Sequence, residues 1–217
     1  MGPLVISIVA VRKGREKKLS HIGVRDSKML TPKKRAYLYD EILSMAEDVK
    51  VYSITAEEIN RAMRSNISIN ELEAIHFARI MDSLPDGVSK IFIDSPDVVA
   101  ERFGRRISII SNRPVRIGSS RKGSGIGIRV VAEHKADATY AVTSAASIIA
   151  KVTRDREIEG IREDTGIDFG SGYPSDSKTL RALKTDLKKK ALRPYLREMW
   201  RTMENIKQSR MTEFLDA

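Results

Sequence analysis

Apolar and polar positions along the chain change period several times, and the changes mark out strands interleaved with helices. The first apolar block, Leu4 to Val11, is rich in Val and Ile and runs into the basic stretch Arg12 to Lys18, which reads as a buried strand entering a turn. Thr31-Pro32 opens a helix, since proline at the first helical position gives up no hydrogen bond, and Leu38, Ile42 and Met45 recur at helical spacing. Val49 to Ile54 predicts a second strand. Asn70 to Leu84 predicts a helix capped by Asn70, with Glu73 closing a capping box and Leu72, Ile75, Phe77, Ile80 and Leu84 on the apolar side. Lys90 to Asp94 is a short apolar strand ending on an acid, and Ile126 to Ala132 is another. A long helix is predicted from Ala138 to Glu159, where the small residues Ser144-Ala145-Ala146-Ser147 allow close packing on a sheet. Gly170 to Pro174 breaks into a loop, and Lys178 to Lys190 and Pro194 to Ile206 predict two further helices.

Strands alternating with helices and closing on helices indicate an α/β domain with a C-terminal helical extension. At 217 residues the chain is long enough for one main core, and 41% hydrophobic with 31% charged residues is the balance of a folded, soluble protein. Lys and Arg exceed Asp and Glu by 39 to 29, a formal charge of +10, so a polyanion such as nucleic acid is the expected partner. The absence of cysteine excludes disulfides and thiolate chemistry. No apolar run approaches the roughly 20 residues of a membrane helix, and a cytoplasmic location is expected. The three histidines, His21, His76 and His134, form no zinc pattern and there is no Gly-x-Ser-x-Gly elbow, which removes zinc and serine hydrolases.

Two acids stand where chemistry can occur. Asp94 ends an apolar strand, and Asp137 follows a strand and precedes a helix, so both could reach one hard divalent cation, which takes carboxylate and phosphate oxygens. Each is equally well read as an ordinary turn or cap residue. The loop Ser119 to Gly125 has an incomplete glycine pattern and reads either as a hairpin connection or as a phosphate loop.

A resemblance narrows these alternatives. His134-Lys135-Ala136-Asp137, followed by Ser144-Ala145-Ala146-Ser147-Ile148-Ile149-Ala150-Lys151-Val152-Thr153-Arg154-Asp155, resembles the signature of ribonuclease HII. Four more segments match that family in order: Arg25 to Pro32, Asn70 to Glu73, Ile93 to Val98, and Gly170 to Asp176. The resemblance, covering Gly2 to Trp200, implies a ribonuclease H-like mixed sheet flanked by helices. It divides the chain into a catalytic domain over 1–165, a substrate-binding loop and helices over 166–207, and a tail over 208–217. The implied activity is endonucleolytic hydrolysis of the RNA strand of RNA/DNA hybrids, and cleavage 5′ of ribonucleotides embedded in DNA, by two-metal catalysis with Mg²⁺ or Mn²⁺. By the same resemblance Asp94 and Asp137 are metal-binding carboxylates, Tyr173 packs on the sugar beside the scissile junction, and Ser27 and Lys28 contact the strand backbone. Such an enzyme is expected to act as a monomer.

The chain departs from the family pattern at its start. Members carry Asp-Glu-Ala-Gly-Arg-Gly just ahead of a segment like Gly2-Pro3-Leu4-Val5, and that motif, with two further acids, is not among these 217 residues. The expectation is that Met1 is an internal methionine of a longer frame. The alternative is a hybrid-binding protein without hydrolytic activity. At the other end, Gln208, Met211, Phe214 and Leu215 fit the spacing Gln-x-x-aliphatic-x-x-aromatic-Leu of peptides that dock on sliding clamps. Met211 and Phe214, at i, i+3 on one helical turn, would be its apolar anchors.

Overall fold

The computed structural model describes residues 1–25, 27–118, 126–185, 190–200 and 203. Its elements follow from local chemistry. The β-branched run gives strand β1 (Leu4–Ala10), which pairs with β2 (Asp48–Ile54) in a two-stranded sheet. Strands β3 (Lys90–Asp94), β4 (Val115–Ile117) and β5 (Ile128–Glu133) form a parallel three-stranded sheet in the order β3-β5-β4. The register sets Asp94 opposite Glu133, so the chain leaves β3 and β5 at the same end of the sheet.

Helices α1 (Glu16–His21), α2 (Pro32–Met45), α3 (Ala56–Arg64), α4 (Ile69–Asp82), α5 (Ala100–Ile110), α6 (Ala136–Thr139), α7 (Ala141–Thr165) and α8 (Ser177–Lys184) complete the α/β fold expected. Thr31 caps α2 through its hydroxyl, with Pro32 in the first turn, and Thr55 and Glu58 form a reciprocal capping box on α3. No helix among the described residues is long and apolar enough to cross a membrane.

Four expectations are corrected. The basic stretch after β1 does not stay a turn but enters α1 at Glu16. Asn70 lies inside the first turn of α4 and does not cap it; its amide is drawn to the Asp97 carboxylate instead, at 2.7 Å. The helix expected from Ala138 is interrupted at Tyr140, whose extended backbone (φ −115°, ψ 118°) separates α6 from α7. Where a helix was expected from Pro194 to Ile206, the described residues show a 3-10 turn (Arg193–Tyr195) and an extended Leu196, beside which the buried Arg197 guanidinium donates to the carbonyls of Gly2 (3.0 Å) and Pro3 (2.6 Å); Met203 is helical, and the rest of that segment beyond Trp200 lies outside the described residues. The loop 119–125 lies outside the described residues.

Compactness divides the chain into two units. One comprises Val5–Tyr52 and Asn70–Thr153. In it, Val9, Leu19, Leu38 and Ile42 pack with Ala145, Ile148 and Ile149 of α7, and full burial of each large aliphatic contributes about 1.5–3 kcal/mol. Ala145 and Ala146 let α7 come close: the Ser7 hydroxyl on β1 donates to the Ala146 carbonyl at 2.6 Å. The other unit comprises Met1–Leu4, Ser53–Ile69 and Arg154–Ala217. Its core gathers Met1, Ile158, Ile161, Phe169, Leu183 and Leu192. There Asn60 of α3, buried, donates to the Leu196 carbonyl and accepts from the Glu198 amide, both at 2.7 Å.

Candidate active site

Asp94 and Asp137 are brought together by the ends of β3 and β5. Asp94 closes β3 with an exposed side chain, whereas Asp137, the second residue of α6, is only 5% exposed. Between β5 and α6 the chain turns through Lys135, a non-glycine residue in the left-handed region (φ 55°, ψ 35°). That turn lets the Ala136 amide donate to Asp94 Oδ1 at 3.2 Å, so one acid is bonded to the residue preceding the other. The ladder continues one step past the strands, with the Ser95 amide donating to the Glu133 carbonyl at 3.0 Å. The Ser144 hydroxyl donates to the Asp137 carbonyl and fixes α6 against the start of α7.

Both acids line a cleft of about 1350 Å³, whose lining includes residues of β1 from Val5 to Ala10 and those of β3. Arg116 and Arg129 also face it. Among the described residues no cluster of three or more His, Cys, Asp or Glu side chains is placed to hold a metal. Two carboxylates opening on a cleft nevertheless fit a hard divalent cation, which commonly takes one or two carboxylates and leaves its remaining positions to water and substrate phosphate.

Behind the two acids stands a network that the sequence did not announce. The Asp97 carboxylate, buried in the loop after β3, accepts from Asn70 of α4 and from the Arg106 guanidinium of α5, and Arg106 also reaches Glu71 at 3.2 Å. Burial alone would raise the Asp97 carboxyl, but the hydrogen bonds from Asn70 and Arg106 and the charges of Arg106 and Arg102 outweigh it and hold it below the usual carboxylate range. The His134 ring donates from Nε2 to the Asp97 carbonyl at 2.7 Å. The only local clue was a third acid three positions after Asp94; its partners come from two distant helices. Farther along the turn, Tyr140 donates to Glu133 at 2.9 Å and stacks on Phe92, and burial followed by that carboxylate raises its hydroxyl pKa.

Tyr173 sits in the other unit, on a loop that is rigid by construction. Asp176 accepts from the Ser171 amide (2.7 Å) and hydroxyl (2.8 Å), which lowers its carboxyl to about 2, and then caps α8 through the Lys178 amide. Gly170 is required here: its φ is +78°, and a Cβ would lie 2.3 Å from Asp176 Oδ2. The Tyr173 ring, 38% exposed, stacks on the Arg154 guanidinium at 3.9 Å, and Arg154 also donates to the Ser171 carbonyl. Ser27 is buried, its hydroxyl 3.0 Å from that of Ser147, while Lys28 is exposed on the same 3-10 turn (Ser27–Met29). Gln208, Met211, Phe214 and Leu215 lie outside the described residues.

Comparison with known proteins identifies the family. The family model described as ribonuclease HII matches residues 1–203. The ribonuclease HII of Pyrococcus furiosus is 43% identical over 210 residues, covering 96% of this chain and 86% of its own, and that of Cenarchaeum symbiosum is 39% identical over 202 residues, covering 93% and 89%. The crystal structure of ribonuclease H2 from Pyrococcus horikoshii superposes with a TM-score of 0.81 at 39% identity, covering 96% of this chain and 92% of that one. The ribonuclease HII solved in a PCNA complex from Archaeoglobus fulgidus superposes with a TM-score of 0.78 at 37% identity, covering 95% and 90%. A match of this extent in sequence and in fold places the chain in the ribonuclease HII family.

Proposed function

We propose that this ribonuclease cuts the RNA strand of RNA/DNA hybrids, and 5′ of ribonucleotides embedded in DNA, at a metal site built on Asp94 and Asp137. The observation that carries the reading is the pairing of an exposed and a buried carboxylate at the ends of adjacent parallel strands, joined through the Ala136 amide and open to one cleft. A non-hydrolytic binding module is not favoured by relatives whose names are those of nucleases.

Asp94 and Asp137 would hold the Mg²⁺ or Mn²⁺, which when bound would supply the positive charge that favours hydrolysis of a phosphodiester. The chain's own residues do the placing. Asp137, buried, presents a carboxylate in a low-dielectric setting where its attraction for a cation is strong, and Asp94, exposed, faces the substrate side. In the reaction a water oxygen bonds to phosphorus and the bond to the 3′ oxygen breaks, leaving a 3′-hydroxyl and a 5′-phosphate. Tyr173, already oriented by Arg154, packs on the sugar next to the junction. Lys28 contacts the strand backbone from the turn that Ser27 fastens, and the +10 charge supplies salt-sensitive affinity for the duplex.

We infer also that the tail docks on a sliding clamp through Gln208, Met211, Phe214 and Leu215, a reading supported by the relative solved as a PCNA:RNase HII complex. The enzyme would act in the cytoplasm as a monomer. The decisive test changes Asp94 or Asp137 to Asn in the complete protein and measures cleavage of, and binding to, a labelled hybrid. Cleavage should vanish while binding is largely kept, because the loss falls on charge at the cation and not on backbone contacts. Near-normal turnover by either variant removes that residue from the site.

A further inference from the structure

We propose that His134 and Asp97 are positioning residues that set the separation of Asp94 and Asp137; the inference rests on the metal-site reading given above. Three cross-links join the loop after β3 to the turn after β5: the Ser95 amide to the Glu133 carbonyl (3.0 Å), the Ala136 amide to Asp94 Oδ1 (3.2 Å), and the His134 ring to the Asp97 carbonyl (2.7 Å). The first two involve the strand ends themselves. The third is the only one of the three made by a side chain of the β5 turn, and it grips the middle of the loop that follows Asp94.

That grip transmits position only if the loop is anchored, and it is. The Asp97 carboxylate is fixed to α4 through Asn70 and to α5 through Arg106, and the Asp97 amide donates to the Ser95 hydroxyl at 3.3 Å, which in turn donates to the Ala100 carbonyl. The loop is therefore a strut held at α4 and α5, and His134 ties the β5 turn to it. Lys135, in its left-handed conformation, follows His134 directly, so a displaced imidazole would loosen the turn that aims both the Ala136 amide and Asp137. Outer groups that orient metal-binding carboxylates typically matter by ten- to a hundredfold in metal affinity.

The test titrates Mn²⁺ into the 217-residue protein carrying ¹³C-labelled aspartate and follows paramagnetic broadening of the Asp94 and Asp137 carboxyl signals, alongside Tm. In the unchanged protein both signals should broaden together. In His134→Ala the midpoint should move to about tenfold higher Mn²⁺, with Tm almost unchanged because the ring is exposed and makes one bond. His134→Gln, which keeps a donor, should recover much of the affinity. Asp97→Asn, whose carboxamide retains an acceptor, should give an intermediate midpoint. Joint broadening at the same midpoint in wild type and His134→Ala overturns the positioning role alone. So does a shift that follows a fall in Tm and is not rescued by His134→Gln. No broadening in the unchanged protein overturns the metal-site reading and the positioning role with it.

Discussion

Removing the Arg106 side chain should expose how much the network behind the acids contributes to stability. In Arg106→Ala the Asp97 carboxylate, whose side chain is 8% exposed, keeps the Asn70 amide but loses its only paired guanidinium among the described contacts. Breaking a buried ion pair by deleting one partner costs about 3–5 kcal/mol. Arg106 itself is 30% exposed, so water can enter where it stood, and the expected loss falls to about 2–3 kcal/mol. For a chain of this size that is a fall in Tm of roughly 4–12 °C. Asp97→Asn leaves Arg106 its second partner, Glu71, and should cost about 1–2 kcal/mol. The double variant removes both charges, so its cost should fall short of the sum by about 1–2 kcal/mol. Urea unfolding followed by circular dichroism on all four proteins gives the coupling. The Asp97 carboxyl is held below its ordinary value, so its share of stability is present above the normal carboxylate range and is lost as pH falls through the lowered value. Asp97→Asn should flatten that part of the acid limb. Additive costs, or a loss below about 0.5 kcal/mol for Arg106→Ala, would refute the pairing as a stabilising element.

Two further outcomes follow from other parts of the molecule. Gly127→Ala should destabilise by at least about 2 kcal/mol in chemical denaturation, since φ is +110° and a Cβ would lie 2.3 Å from the Pro114 carbonyl oxygen, itself bonded by the Ile128 amide. Finally, a peptide spanning Lys207 to Ala217 should bind the cognate sliding clamp in calorimetry, and Phe214→Ala should weaken it by a few kcal/mol; equal binding by both peptides would reject the motif.

What the sequence disclosed depended on how local the signal was. Leu4–Ala10, Pro32–Met45 and Lys90–Asp94 carry their own periodicity, breakers and caps, and they form almost where the pattern places them. Helix α3 escaped notice although Thr55 and Glu58 make a full capping box, because its interior is mostly Glu, Arg and Asn and the apolar stripe reduces to Ile59 flanked by alanines. The break at Tyr140 was hidden because no glycine or proline marks it, and the extended backbone is stabilised by Tyr140 reaching Glu133 and stacking on Phe92. Asp94 and Asp137 were individually no different from turn and cap residues; only family resemblance singled them out, and their meeting depends on β3 and β5 being neighbours. The anchoring of Asp97 by Asn70 and Arg106 joins three segments far apart in the chain, which no local pattern encodes.

The unit assembled from Met1–Leu4, Ser53–Ile69 and Arg154–Ala217 has a consequence for biosynthesis. Its bonds from Arg197 to the Gly2 and Pro3 carbonyls close a loop of 195 and 194 residues, so residues made early find these partners only when the distant Arg197 has been made. At roughly 5–20 residues per second, Met1 to Leu4 wait about 10–40 seconds before Arg197 is made. The unit built from Val5–Tyr52 and Asn70–Thr153 is complete in sequence well before that point. Order of synthesis thus gives a nascent chain in which both carboxylates have been made while the Tyr173 loop is still to come.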